Sequence, residues 1–444
     1  MNPKIFRALR PFWPGGRTLR SRQKELEDSQ WWSIDQLRTW QLERLKKVVV
    51  YAYEHVPYYH EKYKRQGIHP QDIHSTKDFE SLPFLTREDI QTHLPELVTR
   101  EPGYKVVAGS TGGSTGVPLH FYTEHAFSYW DPALELRGRG WYGVKEADKL
   151  AYVWGLKYDF QPIGLRARLR ATLLQERFLN AFHMTDENMQ LFTEMMVKWQ
   201  PVMFRAYASS LSQFANYLKI HGIHNIRPKL IETTAEKISL PQREMIEQVL
   251  GCKVADWYSA REMGTIAYQC PAGGLHVCET RYLEIVANDY VVEPGQMGEV
   301  VITSLHQLGM PFIRYKIGDM AVYDGQPCSC GRGMPIIKEI IGRLHEFLVA
   351  TDGHFVHGGF FSLAFRHYPE IAKYQVYQSD VRHLEIRLVL NNAAKPKWFD
   401  EIIDEVKRIF GEDMQVALNV VDHIPLTAAG KHLDVISEIE PDFI

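Results

Sequence analysis

The sequence predicts an α/β protein with a large body, a β-rich portion within that body, and a small C-terminal α+β domain. Three patterns point to this. Between Tyr104 and about Asp256, strand-like runs alternate with helix-like ones, as in a sheet flanked by helices. From Leu283 to Ile313 the pattern becomes β-rich, with turn signals at Glu293-Pro294-Gly295 and Gln296-Met297-Gly298. From about Glu346 to Ile444, a strand pair (Lys373–Gln378, His383–Leu390), a helix (Trp398–Phe410) and a strand (Gln415–Val421) form a separate set. The expected division is 1–49 as a basic and helical extension, 50–345 as the body and 346–444 as the small domain.

In chain order, Lys4 to Lys24 is basic (Lys4, Arg7, Arg10, Arg17, Arg20, Arg22, Lys24), with Phe6, Leu9, Phe12 and Trp13 interspersed. The preferred reading is an extension packing a few aromatics on the body; a partner-binding arm or a weak membrane-surface contact through residues 4–24 is the alternative. Trp32 to Lys64 reads as largely helical, with Leu37, Leu42, Leu45, Val48 and Val49 at helical spacing. Ser75 to Leu94 reads as a loop in which Thr86, ahead of Arg87-Glu88-Asp89, opens a short helix. Val106-Val107 is a strand before a glycine-rich loop. Glu187–Trp199 is an amphipathic helix, Met203–Tyr207 a strand and Leu211–His221 a helix.

At 444 residues the chain is long enough for two or three domains, and its 45% hydrophobic and 24% charged content is ordinary for a globular protein. A net charge of −3 provides no broad field for nucleic acid. There is no run of about 18 apolar residues and no apolar segment at the start, so a cytoplasmic protein without a transmembrane helix is expected. No G-x-S-x-G occurs, which argues against a serine hydrolase. The spacing of His120 and His125 does not suit a zinc-protease helix.

The chemistry-bearing segments begin with the loop Ser110, Thr111, Gly112, Gly113, Ser114, Thr115, Gly116, made only of glycine, serine and threonine. Such a loop wraps backbone N–H groups around phosphates, although it lacks the lysine of a Walker-type NTPase. Next come Trp257-Tyr258-Ser259-Ala260-Arg261-Glu262 and Tyr315-Lys316-Ile317-Gly318-Asp319. Ile341-Gly342-Arg343 and Pro425-Leu426-Thr427-Ala428-Ala429-Gly430-Lys431 follow. In this order the motifs resemble the adenylate-forming superfamily of acyl-CoA ligases, over roughly Tyr51 to Ser437. The phenylacetate–CoA ligase-like branch, which includes capsular polysaccharide biosynthesis-type proteins, is the nearest in pattern.

The resemblance implies ATP-dependent activation of a carboxylic acid to an acyl-adenylate, then thioester formation with CoA. The loop would hold the β- and γ-phosphates, Tyr258 would offer a face to adenine, and Glu262 a carboxylate to Mg²⁺. Asp319 would accept from the ribose hydroxyls, Arg343 would stand near the ribose, and Lys431 would meet the α-phosphate and carboxylate oxygens. Arg205-Ala206-Tyr207-Ala208-Ser209-Ser210 resembles the branch's acyl-pocket turn, so Trp154 and Tyr207 would line a pocket that accepts aromatics. Two departures stand out. His345-Glu346 replaces an acidic pair, which puts His345 at the hinge of a mobile lid, and Val117 stands where the loop lysine would be. An amine acceptor in polysaccharide or small-molecule biosynthesis is one alternative. A silent nucleotide-binding scaffold in polysaccharide assembly is another.

Cys270, His276, Cys278, Cys328 and Cys330 bracket the β-rich segment with spacing that suits a structural zinc site. If 275–280 is extended, His276 and Cys278 share a face and spacing does not choose between them. The resemblance favours Cys270, His276, Cys328 and Cys330. Cys252 reads as a core residue.

Overall fold

The computed structural model describes residues 6–7, 9–12, 15–111, 119–124, 129–155, 174–181, 184–343, 347–353, 355–365, 368, 370–391, 398–425 and 433–439. The chain enters through α1 (Gly16–Ser29), which buries Leu19 and Leu26. Phe6 is buried, Arg10 pairs with Glu146 at 3.0 Å, and Arg7 pairs with Asp148. These contacts fit the packed-extension reading, although Phe12 stays exposed.

α2 (Ile34–His55) starts at a capping box in which the Ser33 hydroxyl accepts from Gln36 N and the Gln36 side chain accepts from Ser33 N. Position 49/50 falls inside this helix, whose Leu45, Val48, Val49 and Ala52 enter the main core. The largely helical stretch from Trp32 to Lys64 is divided here, because Pro57 has no N–H to continue α2 and instead opens α3 (Pro57–Arg65). Within Ser75–Leu94 the short helix after Thr86 is present as α5 (Arg87–His93). A further helix, α4 (Thr76–Glu80), corrects the loop reading; a second capping box, between Ser75 and Asp78, opens it.

A hairpin of β1 (Val106–Ser110) and β2 (His120–Glu124) carries the glycine-rich loop at its tip. Gly109 faces Phe121 across the hairpin, and a Cβ there would lie 2.7 Å from that ring, so only glycine lets the strands close. The Glu124 carboxylate accepts from the N–H groups of Leu308 and Gly309 at 2.6 and 2.7 Å, fixing the hairpin to the body.

The body is built on one twelve-stranded mixed sheet. Its first half is parallel, in the order β4 (Glu176–Asn180), β3 (Leu150–Trp154), β5 (Met203–Tyr207), β6 (Leu230–Thr234), β7 (Val254–Ala260). Alternate residues serve the two faces. Ala151, Val153, Phe204, Ala206 and Ile231 pack under α7 (Asp186–Trp199), α8 (Ala208–Ile220) and α9 (Leu240–Leu250). On the other face Arg205 and Glu232 pair directly across the register, beneath α6 (Trp130–Gly140). Glu135 of α6 meets Arg205 at 2.9 Å and Arg139 meets Glu232 at 3.6 Å, so each buried charge has a partner.

The second half is antiparallel. From β7 the order runs β8 (Gly264–Gln269), β9 (Leu275–Val277), β14 (Ile336–Arg343), β13 (Tyr315–Tyr323), β12 (Met297–Ser304), β10 (Arg281–Ala287), β11 (Tyr290–Val291). Its apolar side shares the main core with α2 and α3. The C-terminal unit has its own core. It holds the hairpin β15 (Phe347–Val349) and β16 (Phe355–His357), α10 (Gly359–Phe365), and β17 (Ile371–Asp380), β18 (His383–Leu390), β19 (Gln415–Val420) and β20 (Val435–Ser437) in the order β19-β18-β17-β20. The helix α11 (Phe399–Phe410) crosses from β18 to the parallel β19 and buries Phe399, Ile402, Val406 and Phe410.

Candidate active site

Strands β3, β5, β6 and β7 run parallel and end at Trp154, Tyr207, Thr234 and Ala260. The carboxyl ends of parallel strands are where open α/β sheets hold ligands. Ala235, just past β6, has a φ of +69°, a strained conformation for a residue with a Cβ. Beside it, the Glu236 carboxylate accepts from Ser209 N at the start of α8, at 2.9 Å. Trp154 and Tyr207 come together with ring centroids 4.4 Å apart and planes inclined by 32°. Burial raises the phenol pKa of Tyr207. The two residues expected to line an acyl pocket thus form one aromatic surface.

Beyond β7, Glu262 is buried, and burial pushes its carboxyl pKa up. The Tyr315 hydroxyl, on β13, donates to it at a long 3.4 Å. Asp319 lies farther along β13. Its Oδ2 accepts from the Tyr258 hydroxyl at 2.6 Å, and its Oδ1 pairs with Arg343 Nε of β14 at 2.7 Å. Arg343 also donates to the Ile317 carbonyl at 3.3 Å, and the Asp319 carboxylate holds its pKa up. The fold therefore gathers Tyr258, Glu262, Asp319 and Arg343 from β7, its following turn, β13 and β14. An ionised carboxylate has about four lone-pair sites, so Asp319 retains capacity for two more donors.

The loop base is also in place. Thr111 N donates to the Leu119 carbonyl at 2.9 Å, and Leu119 N donates to Thr111 Oγ1 at 3.0 Å. Ser110 is joined to the Glu262 turn, because Arg261 Nη1 donates to its carbonyl at 2.8 Å. Gly112, Gly113, Ser114, Thr115, Gly116, His345 and Lys431 lie outside the described residues. Two side chains, Tyr315 and Arg261, belong to the quoted motifs but had no role from sequence. Both could have been noticed: Tyr315 shares a strand parity with Asp319, and Arg261 is the only cation beside Glu262.

A second cluster joins Cys270, His276, Cys328 and Cys330, whose ligand atoms all lie within 4.8 Å of one another. The sulfurs of Cys270 and Cys328 are 3.7 Å apart, and Cys330 Sγ is 3.2 Å from His276 Nε2. Thiolates on one tetrahedral zinc sit about 3.8 Å apart, so the donor set and spacing fit that ion. His276 Nδ1 lies 3.3 Å from the Met334 carbonyl, an outer contact that aims Nε2 inward. Burial lowers the imidazole pKa to about 4, leaving it neutral and able to ligate. Cys278 is elsewhere. β9 ends at Val277, so the alternation stops and Cys278 packs with Leu19, Leu26 and Trp130. Cys252 is half-buried against the core under the parallel strands.

Among the described residues, no helix is long and apolar enough to cross a membrane. Residues 348–438 match the family model of the CapK C-terminal domain. The chain is 25% identical to protein CapK of Staphylococcus aureus over 414 residues, spanning 90% of this chain and 89% of that one. It is 29% identical to the phenylacetate–coenzyme A ligase of Pseudomonas putida over 330 residues, spanning 71% and 73% of the two chains. The fold is that of 2-hydroxyisobutyryl-CoA ligase in the postadenylation state, with a TM-score of 0.71, 19% identity, and coverage of 93% of this chain and 92% of that one. By sequence relationship the chain is a homologue of CapK and the phenylacetate–coenzyme A ligases, and it shares its fold with an acyl-CoA ligase.

Proposed function

We propose that this chain is an AMP-forming acid–coenzyme A ligase. The observation that carries the reading is the meeting of Tyr258, Asp319 and Arg343 with buried Glu262 beside the loop base at Ser110–Thr111. The first half-reaction has a carboxylate oxygen attack the α-phosphorus of ATP while the bond to pyrophosphate breaks, giving an acyl-adenylate. No covalent protein nucleophile is needed, so positioning and charge neutralisation are what the site must supply. Asp319 accepts from the ribose hydroxyls, held in place by Tyr258 and Arg343. Glu262, buried with one long hydrogen bond from Tyr315, is the carboxylate for Mg²⁺, an ion that pairs a few carboxylates with substrate phosphates. In the second half-reaction the thiol of coenzyme A attacks the acyl carbonyl, AMP leaves and the thiol proton is released.

In this reading 346–444 is the lid, pivoting near His345 and carrying Lys431 to the α-phosphate for the first step only. Trp154 and Tyr207 form an acyl-pocket wall suited to an aromatic or other flat apolar acid. Cys270, His276, Cys328 and Cys330 hold a structural zinc, and the cytoplasm, where both ATP and reduced thiolates are found, is the compartment. Support for coenzyme A comes from the phenylacetate–coenzyme A ligase relative. An amine acceptor is the second reading, and discharge of the acyl-adenylate separates the two.

The test is ATP–pyrophosphate exchange over a panel of carboxylic acids, followed by discharge of the acyl-adenylate with coenzyme A or with amino acids and amino sugars. Acid-dependent exchange and a thioester by mass spectrometry are expected. No exchange with any acid would leave a silent scaffold. Discharge by an amine, with coenzyme A inert at millimolar concentration, would make this an amide-forming ligase.

A further inference from the structure

We propose that Arg261 is the polyphosphate clamp of this site, acting on the β- and γ-phosphates of ATP and on the departing pyrophosphate. The inference rests on the adenylation reading. The loop from Ala108 to Pro118 contains no lysine or arginine, so its own chemistry toward phosphate is backbone N–H and hydroxyl only. A cation must come from elsewhere for a group carrying several negative charges. Arg261 is placed to supply it. It follows β7 directly, and its Nη1 donates to the Ser110 carbonyl at 2.8 Å, spanning 151 positions of sequence to reach the root of the loop.

The charge environment makes this arginine unusual. The buried arginines of the body are neutralised by carboxylates, Arg205 by Glu232 and Glu135, Arg281 by Asp131 and Arg314 by Glu284, and the part-exposed Arg343 is paired with Asp319. Among the described residues, Arg261 has no carboxylate within ion-pair distance, and its side chain is exposed. A guanidinium has five N–H donors in a planar fork, and the carbonyl uses one, leaving an edge for two phosphate oxygens. The tether to Ser110 limits its rotamers before ligand arrives, so less freedom is lost on binding. Its sequence neighbour Glu262 is the proposed Mg²⁺ carboxylate, so metal and guanidinium would flank one polyphosphate from a single turn.

The experiment measures binding of AMP, ATP and inorganic pyrophosphate by calorimetry with Mg²⁺ present, for wild type, Arg261→Ala, Arg261→Gln and Arg261→Lys. AMP lacks the phosphates in question and reports on the rest of the site. Arg261→Ala is expected to bind AMP as wild type does while losing about 10- to 100-fold in ATP and pyrophosphate affinity, the effect of one charged hydrogen-bonding group. Arg261→Gln keeps a donor for Ser110 without the charge, so it should lose as much as alanine, and Arg261→Lys should recover part. Should alanine destabilise the fold, glutamine and lysine carry the comparison. Unchanged ATP affinity in Arg261→Gln, or equal loss of AMP and ATP, would overturn the proposal. Failure of the wild type to bind AMP and ATP alike would instead overturn the adenylation reading, and the clamp with it.

Discussion

His306 lies flat against Trp130, with ring centroids 4.2 Å apart and an interplanar angle of 15°, and edge-on to Trp40. Its Nε2 is buried without a hydrogen-bond partner. Burial, aided by the guanidinium groups of Arg281, Arg44 and Arg22, lowers its pKa to about 3. The unfolded chain binds this proton near pH 6.5, so the imidazole favours folding fully above that pH, and the favour is lost as pH falls toward 3. Between pH 7 and pH 5 this amounts to about 2 kcal/mol. Asp131, which burial raises to about 6, works in the opposite direction over part of the range, so the wild type alone would mislead. Urea unfolding of wild type and His306→Phe at both pH values isolates the histidine. The wild type should lose about 2 kcal/mol more than the variant, and parallel losses would show that His306 is protonated in the folded state.

Among the elements, the turn between β13 and β14 joins the Cys/His cluster to the N-terminal helices. Gly333 N donates to the Gln30 carbonyl at 3.2 Å, and Arg332 Nε donates to Gln30 Oε1 at 2.9 Å. The Arg332 guanidinium sits over Trp141 at 4.3 Å and Trp31 at 4.9 Å. A Cβ on Gly333 would fall 1.8 Å from the Trp32 carbonyl oxygen, so the connection between α1 and α2 sits directly on this turn. A zinc held by Cys328 and Cys330, as proposed, would therefore also hold the platform for the N-terminal helices. Purified protein should contain about one zinc per chain. Cys328→Ser should lower zinc content and melting temperature, and should speed limited proteolysis between α1 and α2 relative to sites in α11. Soluble, active protein without zinc would reduce these four side chains to ordinary packing.

For the molecule as a whole, the C-terminal unit is the proposed lid. Lys431, whose segment lies outside the described residues, is proposed to act in the first half-reaction and then withdraw. Lys431→Ala should slow pyrophosphate exchange by about 100- to 1,000-fold, the cost of losing one preorganised charge in a transition state. It should leave thioester formation from supplied acyl-adenylate within a few-fold of wild type, because the lysine is then out of the site. Rapid-quench assays of the two half-reactions separate these effects. Equal loss in both would place Lys431 in the fold of the lid and not in adenylation.

Local physics made several features legible from residues alone. The α11 helix could be read directly, since Phe399, Ile402, Val406 and Phe410 form one apolar stripe. The strands β5, β17 and β18 and the helix after Thr86 followed from patterns within ten residues or so. The helix α4 escaped because five residues cannot show a period, and its only signal was the Ser75–Asp78 capping box. Motif order named Tyr258, Glu262, Asp319 and Arg343, because each is embedded in a short and recognisable run. Their geometry came from tertiary structure: Asp319 lies 61 positions from Tyr258, and β8, β9 and β14 stand between their strands in the sheet order, so only the folded sheet brings the two side chains together. The choice of His276 over Cys278 had the same origin. Strand parity gave both residues one face, and only the end of β9 at Val277 turned the cysteine toward α1. The tether from Arg261 to Ser110 was likewise beyond sequence, because it joins a strand end to a hairpin tip that meet only when the body closes. Local propensity acts over a few residues and is written in the sequence, whereas long-range pairing depends on how the whole sheet satisfies its hydrogen bonds and buries both faces at once.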